Sequence, residues 1–336
     1  MNFIIGIQRE KKFIMVTSIK TRLVNILRKI FIFRIFSIKH RIYKQKRFSL
    51  TKNEIIAQEI NKYKQFYKRK PNLEIPKLFS EKIIWQKLFY FDHNLTKLAD
   101  KLLVKDFVKK KLNDNLFPQT LRVFNSYEEF NFKNLPDVFI IKTNHVTGYI
   151  YKGIKKGNKY IFIDVKYSNG PSYSERQIKK IFKYVLKTNI YPQTFEWVYK
   201  DITPKIFIEE YLNQEQLKEF KFQMANGKLG FINHVWGRTE GTYDNYYDEN
   251  LEFMDINWDY PSDKTVKLPP VITKMLDYAK TLSKGIPLAR IDFYFIDGRI
   301  LLGEITFFYS AGYLNFKHPE NLDEFIGMKL DISTYL

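Results

Sequence analysis

Apolar residues Ile19, Leu23, Ile26, Ile30 and Phe33 recur every three or four positions near the start of the chain, with Leu27 beside them. That spacing predicts a helix with one apolar stripe. Lys20, Arg22, Arg28, Lys29 and Arg34 are interleaved. They interrupt the stretch too often for it to cross a bilayer or to serve as a secretory signal core. Thr51-Lys-Asn-Glu54 is a capping box and predicts a helix from there to about Lys70, with Pro71 and Pro76 marking a break. A further amphipathic helix is expected over Leu78–Phe91, with Trp85 and Leu88 facing inward. Short apolar runs predict strands at Val138–Lys142, Tyr160–Val165 and Lys205–Leu212, and Ser174–Thr188 reads as a helix closed by a turn at Tyr191-Pro192. Asn226-Gly227 and Asp297-Gly298 are turn signals. They predict two hairpins, Glu219–Trp236 and Ile286–Ile296 with Arg299–Phe307, and Val271–Ser283 between them reads as a helix. The polar, Tyr-rich stretch from about Gly237 to Pro270 reads as a substrate-facing insertion. Helices and strands mix without strict alternation and without an internal repeat, so the fold class is α+β.

Composition narrows the chemistry. The 336 residues are 45% hydrophobic and 27% charged, which excludes a wholly disordered or collagen-like chain. There is no cysteine, so disulfides, thiolate zinc sites, iron–sulfur clusters and a cysteine nucleophile are excluded. The five histidines, His40, His93, His145, His234 and His318, show no metal-ligand spacing. Net charge is +20, and the first 70 residues hold 19 Lys/Arg against 3 Asp/Glu, so +16 of it lies there. A basic arm on a nearly neutral body points to a tether, and residues 1–50 are expected to meet an anionic membrane surface. Packing on the body or against a partner protein are the alternatives. Nucleic acid is not expected, since no reading module follows the arm. Met15 is a second candidate start.

The most informative chemistry lies in the last hairpin, where Asp292 and Glu304 interrupt two apolar strands. A carboxylate in a half-buried strand is costly unless it is paired or binds a cation. A plain two-residue turn at Asp297-Gly298 places Asp292 opposite Gly303 and turns Glu304 to the other face. One extra residue, expected as a bulge with Gly298 left-handed, pairs Asp292 with Glu304 and puts Thr306 on the same face. That arrangement suits Mg²⁺ completed by phosphate oxygens. The alternative is one surface carboxylate and one ion pair to Arg290.

Arg290-Ile-Asp292 followed by Glu304-Ile-Thr306 resembles the metal-binding end of the ATP-grasp fold, as in D-alanine–D-alanine ligase, with Thr306 where an Asn is usual. Asp100-Lys101 with Lys105, then Phe139-Ile-Ile-Lys142 with Thr143-Asn-His-Val-Thr-Gly148, then Ile206-Phe-Ile-Glu-Glu-Tyr-Leu212 follow the same order. Leu135–His145, Glu196-Trp-Val-Tyr-Lys200 and Gly303–Phe307 resemble more closely the TupA-like ATP-grasp family of teichuronopeptide and surface-polysaccharide synthesis, over about residues 78–330. Val146-Thr147-Gly148 departs from the family's Gly-Ser-Gly, and Glu219-Phe-Lys221 from its Asp-Tyr-Lys.

The resemblance implies two α+β lobes holding ATP between them after a helical basic segment. The expected division is an arm at 1–70, a helical lead-in at 71–120, a lid lobe at 121–208 and a core lobe at 209–336. It implies ATP contacts at Lys105, Lys142, Thr147, Gly148, Glu209, Glu210, Tyr211, Leu212, Glu219 and Lys221. It implies Mg²⁺ at Asp292, Glu304 and Thr306, and catalytic roles for Arg290, Lys142 and His145. His145 as a plain loop cap and Lys105 as a solvated lysine remain open, as does a glycan or packing role for His234, Trp236 and Arg238. The implied reaction joins a carboxylate, a uronic or amino acid of a surface glycan or its precursor, to an amine through an acyl phosphate. The implied place is the cytoplasm, peripheral on the inner membrane face. A glycosyltransferase or an ATP-dependent kinase of the same synthesis is the alternative. All the implied ATP residues lie beyond Asp100, so removing residues 1–50 is expected to leave nucleotide binding intact.

Overall fold

The computed structural model describes residues 31–166, 172–213, 216–237, 241–256, 258, 260–316 and 319–336. These fall into two units. Unit 1 draws on Met1–Arg47, Leu121–Thr188 and Pro204–Glu209, and unit 2 on Phe48–Thr120, Asn189–Thr203 and Glu210–Leu336.

Unit 1 is built on a six-stranded sheet of β1 (Thr120–Phe124), β2 (Val138–Thr143), β3 (Tyr151–Lys156), β4 (Lys159–Asp164), β5 (Ser172–Ser174) and β6 (Ile206–Glu210), in the order β1-β6-β2-β3-β4-β5. Strands β2 to β5 form an antiparallel meander. Helix α1 (Phe31–Lys46) and helix α6 (Glu175–Val185) pack against each other. Ser174 caps α6 in a capping box with Gln177, and Ile178, Ile181, Phe182 and Val185 form its buried stripe.

The described part of the basic arm is therefore a packed helix. Ile35 and Ile38 of α1 are buried, and Arg34 is ion-paired to Asp164 at 2.5 Å. Its opposite face leaves Ile32 75% and Phe36 64% exposed. The expected helical positions from Ile19 to Ile30 lie outside the described residues.

Unit 2 centres on a second six-stranded sheet, β10-β9-β8-β7-β11-β12. Its strands are β7 (Lys218–Ala225), β8 (Lys228–Trp236), β9 (Tyr243–Tyr247), β10 (Phe253–Met254), β11 (Ala289–Ile296) and β12 (Arg299–Thr306), and every pairing is antiparallel. Around it lie α2 (Lys52–Tyr67), α3 (Phe79–Phe89), α4 (Asn94–Ala99), α5 (Leu103–Leu112), α7 (Tyr191–Thr194), α8 (Ile272–Ser283) and α9 (Leu322–Lys329). The Thr51–Glu54 capping box opens α2 as its sequence dictates.

Two sequence expectations change here. Helix α3 is not amphipathic, because every residue from Phe79 to Leu88 is buried. Its polar side chains work as internal hydrogen-bond donors and acceptors. Lys82 donates to the Gly327 and Leu330 carbonyls at the end of α9, Gln86 bonds Leu288 and Phe307, and Lys87 pairs with Glu59. The stretch from Gly237 to Pro270 is not simply an insertion either. It supplies β9 and β10, and Trp258 packs into the core beside Phe79, Phe231 and Tyr246.

The last hairpin settles the register. Ile296 pairs with Arg299 across a two-residue turn in which Asp297 (φ 50°) and Gly298 (φ 73°) are both left-handed. That turn matches the twist of the strands and needs no bulge. The extra residue sits deeper, at Gly303, since Asp292 pairs with Glu304 and Phe293 with Leu302. The expected pairing is present, and the bulge is displaced from the turn. The cause is local: a Cβ on Gly303 would lie 2.8 Å from the Tyr294 ring. Gly303→Ala is expected to destabilise by roughly 1–3 kcal/mol and to disturb the Asp292–Glu304 pairing, read as a lower urea midpoint together with lost activity.

Candidate functional site

Strand β7 alternates Glu219-Phe-Lys-Phe-Gln223, which puts Glu219, Lys221 and Gln223 on one face and Phe220 and Phe222 on the other. Register carries that polar face across the sheet. One transverse row runs Glu304, Asp292, Lys221, Asn233, Tyr246, and the next runs Thr306, Arg290, Gln223, Phe231.

The side chains form one network. Arg290 grips Asp292 with two bonds of 2.7 Å, and its Nη2 also reaches Glu304 at 3.2 Å. Lys221 bridges Glu219 at 2.6 Å and Asp292 at 3.2 Å. Thr306 donates to Glu304 Oε1 at 3.2 Å. Burial alone pushes the Asp292 carboxyl up, but Arg290 and then Lys221 outweigh it and hold it below the usual range. Burial works against the Arg290 charge, and the facing Asp292 raises its pKa nonetheless.

This donor set fits a magnesium ion that arrives with phosphate. Three carboxylates face two cations, leaving one negative charge over. Glu304 is the open carboxylate, with a side chain 37% exposed and no donor on Oε2 among the described residues. No group of three or more His, Asp or Glu among the described residues could hold a metal unaided. A cation held here would need its remaining ligands from a substrate, as is usual for Mg²⁺ at nucleotides.

Unit 1 brings together a second set. Lys142 on β2 pairs with buried Glu209 on β6 at 2.6 Å. Asn144 Oδ1 accepts from the Lys205 amide at 2.7 Å, tying the loop after β2 to the start of β6. His145 is buried with Nε2 3.3 Å from the Val185 carbonyl, where it anchors that loop. Thr147 and Gly148 are exposed, and Gly148 has φ 82° with nothing within 4 Å of where a Cβ would stand.

Other expected residues lie elsewhere. In unit 2, Lys105 donates to Thr120 Oγ1 at 2.6 Å in a cavity of about 910 Å³ that Glu210 and Arg299 also line. Glu210 is held there by Arg299 and the Gln119 amide, so it turns away from its neighbour Glu209, as strand alternation requires. Tyr211 and Leu212 follow β6 half-buried. His234 stacks on Phe220 at 4.3 Å and beside Trp236 at 4.7 Å. Burial, then Lys218, pushes its pKa down to about 3, so it packs as a neutral ring. Arg238 lies outside the described residues.

Sequence reasoning gave no site role to three members of this neighbourhood. Gln223 Oε1 and Asn233 Nδ2 are buried with no hydrogen-bond partner among the described residues, and the β7 alternation was the signal for Gln223. The third is Glu196, which caps a single 3₁₀ turn, Trp197–Tyr199. Tyr199 feels the charges of Glu196, Glu304 and Arg290, after burial, which is the main cause of its raised pKa. Burial pushes Glu196 up to about 7 against the pull of Lys87. The sign follows: the folded state holds a proton there that the unfolded chain releases near pH 4.5, so this stabilisation is lost as pH rises through about 7. Glu196→Gln is expected to match wild type near pH 4, below the unfolded value, and exceed it by up to about 3 kcal/mol at pH 8, read from unfolding midpoints at the two pH values.

The sequence profile of the TupA-like ATP-grasp family matches residues 81–331. The chain belongs to the TupA-like ATP-grasp family. Membership gives it the ATP-grasp fold. Among solved structures, D-alanine–D-alanine ligase from Bacillus anthracis complexed with ATP is 15% identical, with 63% of this chain and 55% of that one covered and a TM-score of 0.34. The Helicobacter pylori enzyme of the same name is 17% identical, with 70% and 61% covered and a TM-score of 0.34. The macrocyclase MdnC from Microcystis aeruginosa, bound with precursor peptide MdnA, is 12% identical, with 69% and 60% covered and a TM-score of 0.33. The chain thus spans rather more than half the length of the ligases it matches. None of the curated proteins compared with it matches.

Proposed function

We propose that this chain is an ATP-dependent carboxylate–amine ligase. It activates a uronic or amino acid carboxylate of a surface polysaccharide, or of its precursor, as an acyl phosphate and passes the acyl group to an amine. The observation that carries the reading is the pairing of Asp292 with Glu304 on one polar sheet face, with Arg290 and Lys221 in the same network. Asp292 and Glu304, with Thr306 beside them, would hold Mg²⁺, which neutralises phosphoryl charge when bound. Lys142 and Glu209 would take the nucleotide, Lys142 as a point charge for phosphate and Glu209 as an acceptor for the adenine amino group. Thr147 and Gly148 offer exposed backbone to phosphate oxygens. Arg290 would steady negative charge on the reacting carbonyl oxygen. The open Gln223 and Asn233 groups suit polar atoms of the acceptor.

The arm supports a place on an anionic membrane surface. Ile32 and Phe36 stand exposed on α1 among basic residues. No described helix is long and apolar enough to cross a membrane. ADP release measured against a panel of uronic and amino acids, with and without amines, tests the ligase reading. Turnover requiring both a carboxylate and an amine, with amide in the product, supports it. A stable phosphorylated product formed without any amine replaces it with a kinase.

A further inference from the structure

Helix α1 precedes the residues that the family profile matches, so family membership assigns it nothing. Its inner face nevertheless meets the Thr147–Gly148 loop. Arg34 donates to the Gly148 carbonyl at 2.7 Å and pairs with Asp164 at 2.5 Å, which ties the loop to the end of β4. Arg34 is nine-tenths buried in this role and lies over the rings of Tyr149 and Tyr151. Two turns further along α1 comes Arg41, on the same face.

Arg34, Arg41, Thr147, Gly148 and Lys166 line a cavity of about 230 Å³. At about 30 Å³ for each water, that is room for a phosphoryl group and a few waters. Asp164 answers the charge of Arg34. Arg41 is half-buried and has no ion-pair or hydrogen-bond partner among the described residues. A half-buried guanidinium set beside a second arginine and a lysine raises the local potential, which an anion relieves. Guanidinium fits phosphate oxygens in a two-pronged geometry. The left-handed glycine leaves open space at the mouth.

We propose that α1 completes a phosphoryl-binding niche on unit 1, in which Arg34 positions the Thr147–Gly148 loop and Arg41, with Lys166, binds a phosphate group of the nucleotide. The niche rests on the reading that this chain uses ATP. It makes the N-terminal helix a part of the nucleotide machinery as well as a surface for membranes.

The test uses full-length protein and calorimetric titration with ATP, adenosine and inorganic tripolyphosphate, alongside flotation with phosphatidylglycerol vesicles. Arg41→Gln should keep the wild-type unfolding midpoint, since no partner in the fold is lost. It should weaken ATP and tripolyphosphate about tenfold, leave adenosine unchanged, and flatten the salt dependence of ATP binding. Arg41→Lys should recover part of the loss. In an Arg34→Lys background, which keeps the charge but not the bridge, Arg41→Gln should cost less than about twofold. A full tenfold effect in that background removes the positioning role of Arg34. Unchanged ATP and tripolyphosphate affinity in Arg41→Gln overturns the niche. Loss of vesicle binding with ATP affinity intact assigns the anion to a lipid headgroup and overturns the nucleotide assignment. If wild type binds tripolyphosphate through Arg41 but never ATP, the ATP reading falls and the niche stands.

Discussion

Glu304→Gln is expected to lower ATP turnover at least about 100-fold while moving the unfolding midpoint by no more than about 2 °C. The contrast follows from position. Glu304 has a side chain 37% exposed and shares Arg290 with Asp292, so losing its charge leaves no cation stranded. Its one open oxygen is the best ligand the network offers an incoming Mg²⁺. Asp292→Asn is a poorer probe, although it touches the same chemistry. Asp292 is 1% exposed and answers both Arg290 and Lys221. Neutralising it strands two poorly solvated cations, at a cost of about 3–5 kcal/mol. Activity and folded fraction then fall together. ATP affinity in Glu304→Gln should fall less than the rate, because Lys142 and Glu209 are untouched. Steady-state ADP release, nucleotide titration and thermal unfolding on the same preparation separate these effects. A Glu304→Gln protein that turns over ATP like wild type removes Mg²⁺ from this hairpin.

The legible parts of this chain are those where a local rule decides. Thr51 and Glu54 cap α2, Asn226-Gly227 and Asp297-Gly298 turn their hairpins, and the β6 alternation sends Glu209 and Glu210 apart. The Asp292–Glu304 pairing was legible as one of two registers, but the site of the bulge was not. The bulge falls at Gly303, which lies under the Tyr294 ring, and no pattern in the sequence announces which ring will lie over which glycine. Long-range contacts hid the rest. Helix α3 reads as half-polar because Lys82, Gln86 and Lys87 find partners more than 200 residues away or on another helix. Tyr243-Asp-Asn-Tyr-Tyr247 reads as a loop because its polar groups are buried, with Asn245 holding the Asp263 turn. The same blindness concealed Arg34. Its composition suggested a solvated lipid-facing charge, and its bonds to Asp164, 130 positions away, and to the Gly148 carbonyl show otherwise.

That contact changes what truncation should do. Read from charge alone, the first 50 residues are a detachable tether. With α1 in place, removing them should abolish nucleotide binding rather than spare it. Asp164 is 4% exposed and would lose its cation, which costs about 3–5 kcal/mol. Ile35 and Ile38 would leave bare apolar surface on α6, at about 1.5–3 kcal/mol for each side chain. Gly148 would lose the bond that fixes its carbonyl. Those losses fall on one small unit, which is expected to melt early or to bind ATP with an affinity lowered at least about 100-fold. Removal of residues 1–30 alone should behave differently. Arg34, Ile35, Ile38 and Arg41 all remain, so ATP affinity should stay within about twofold of wild type, while binding to anionic vesicles weakens with the lost lysines and arginines. Calorimetry, thermal unfolding and vesicle flotation on the two truncations give the comparison. If the protein lacking residues 1–50 binds ATP like the full chain, α1 is a passenger on unit 1 and the simple tether is restored.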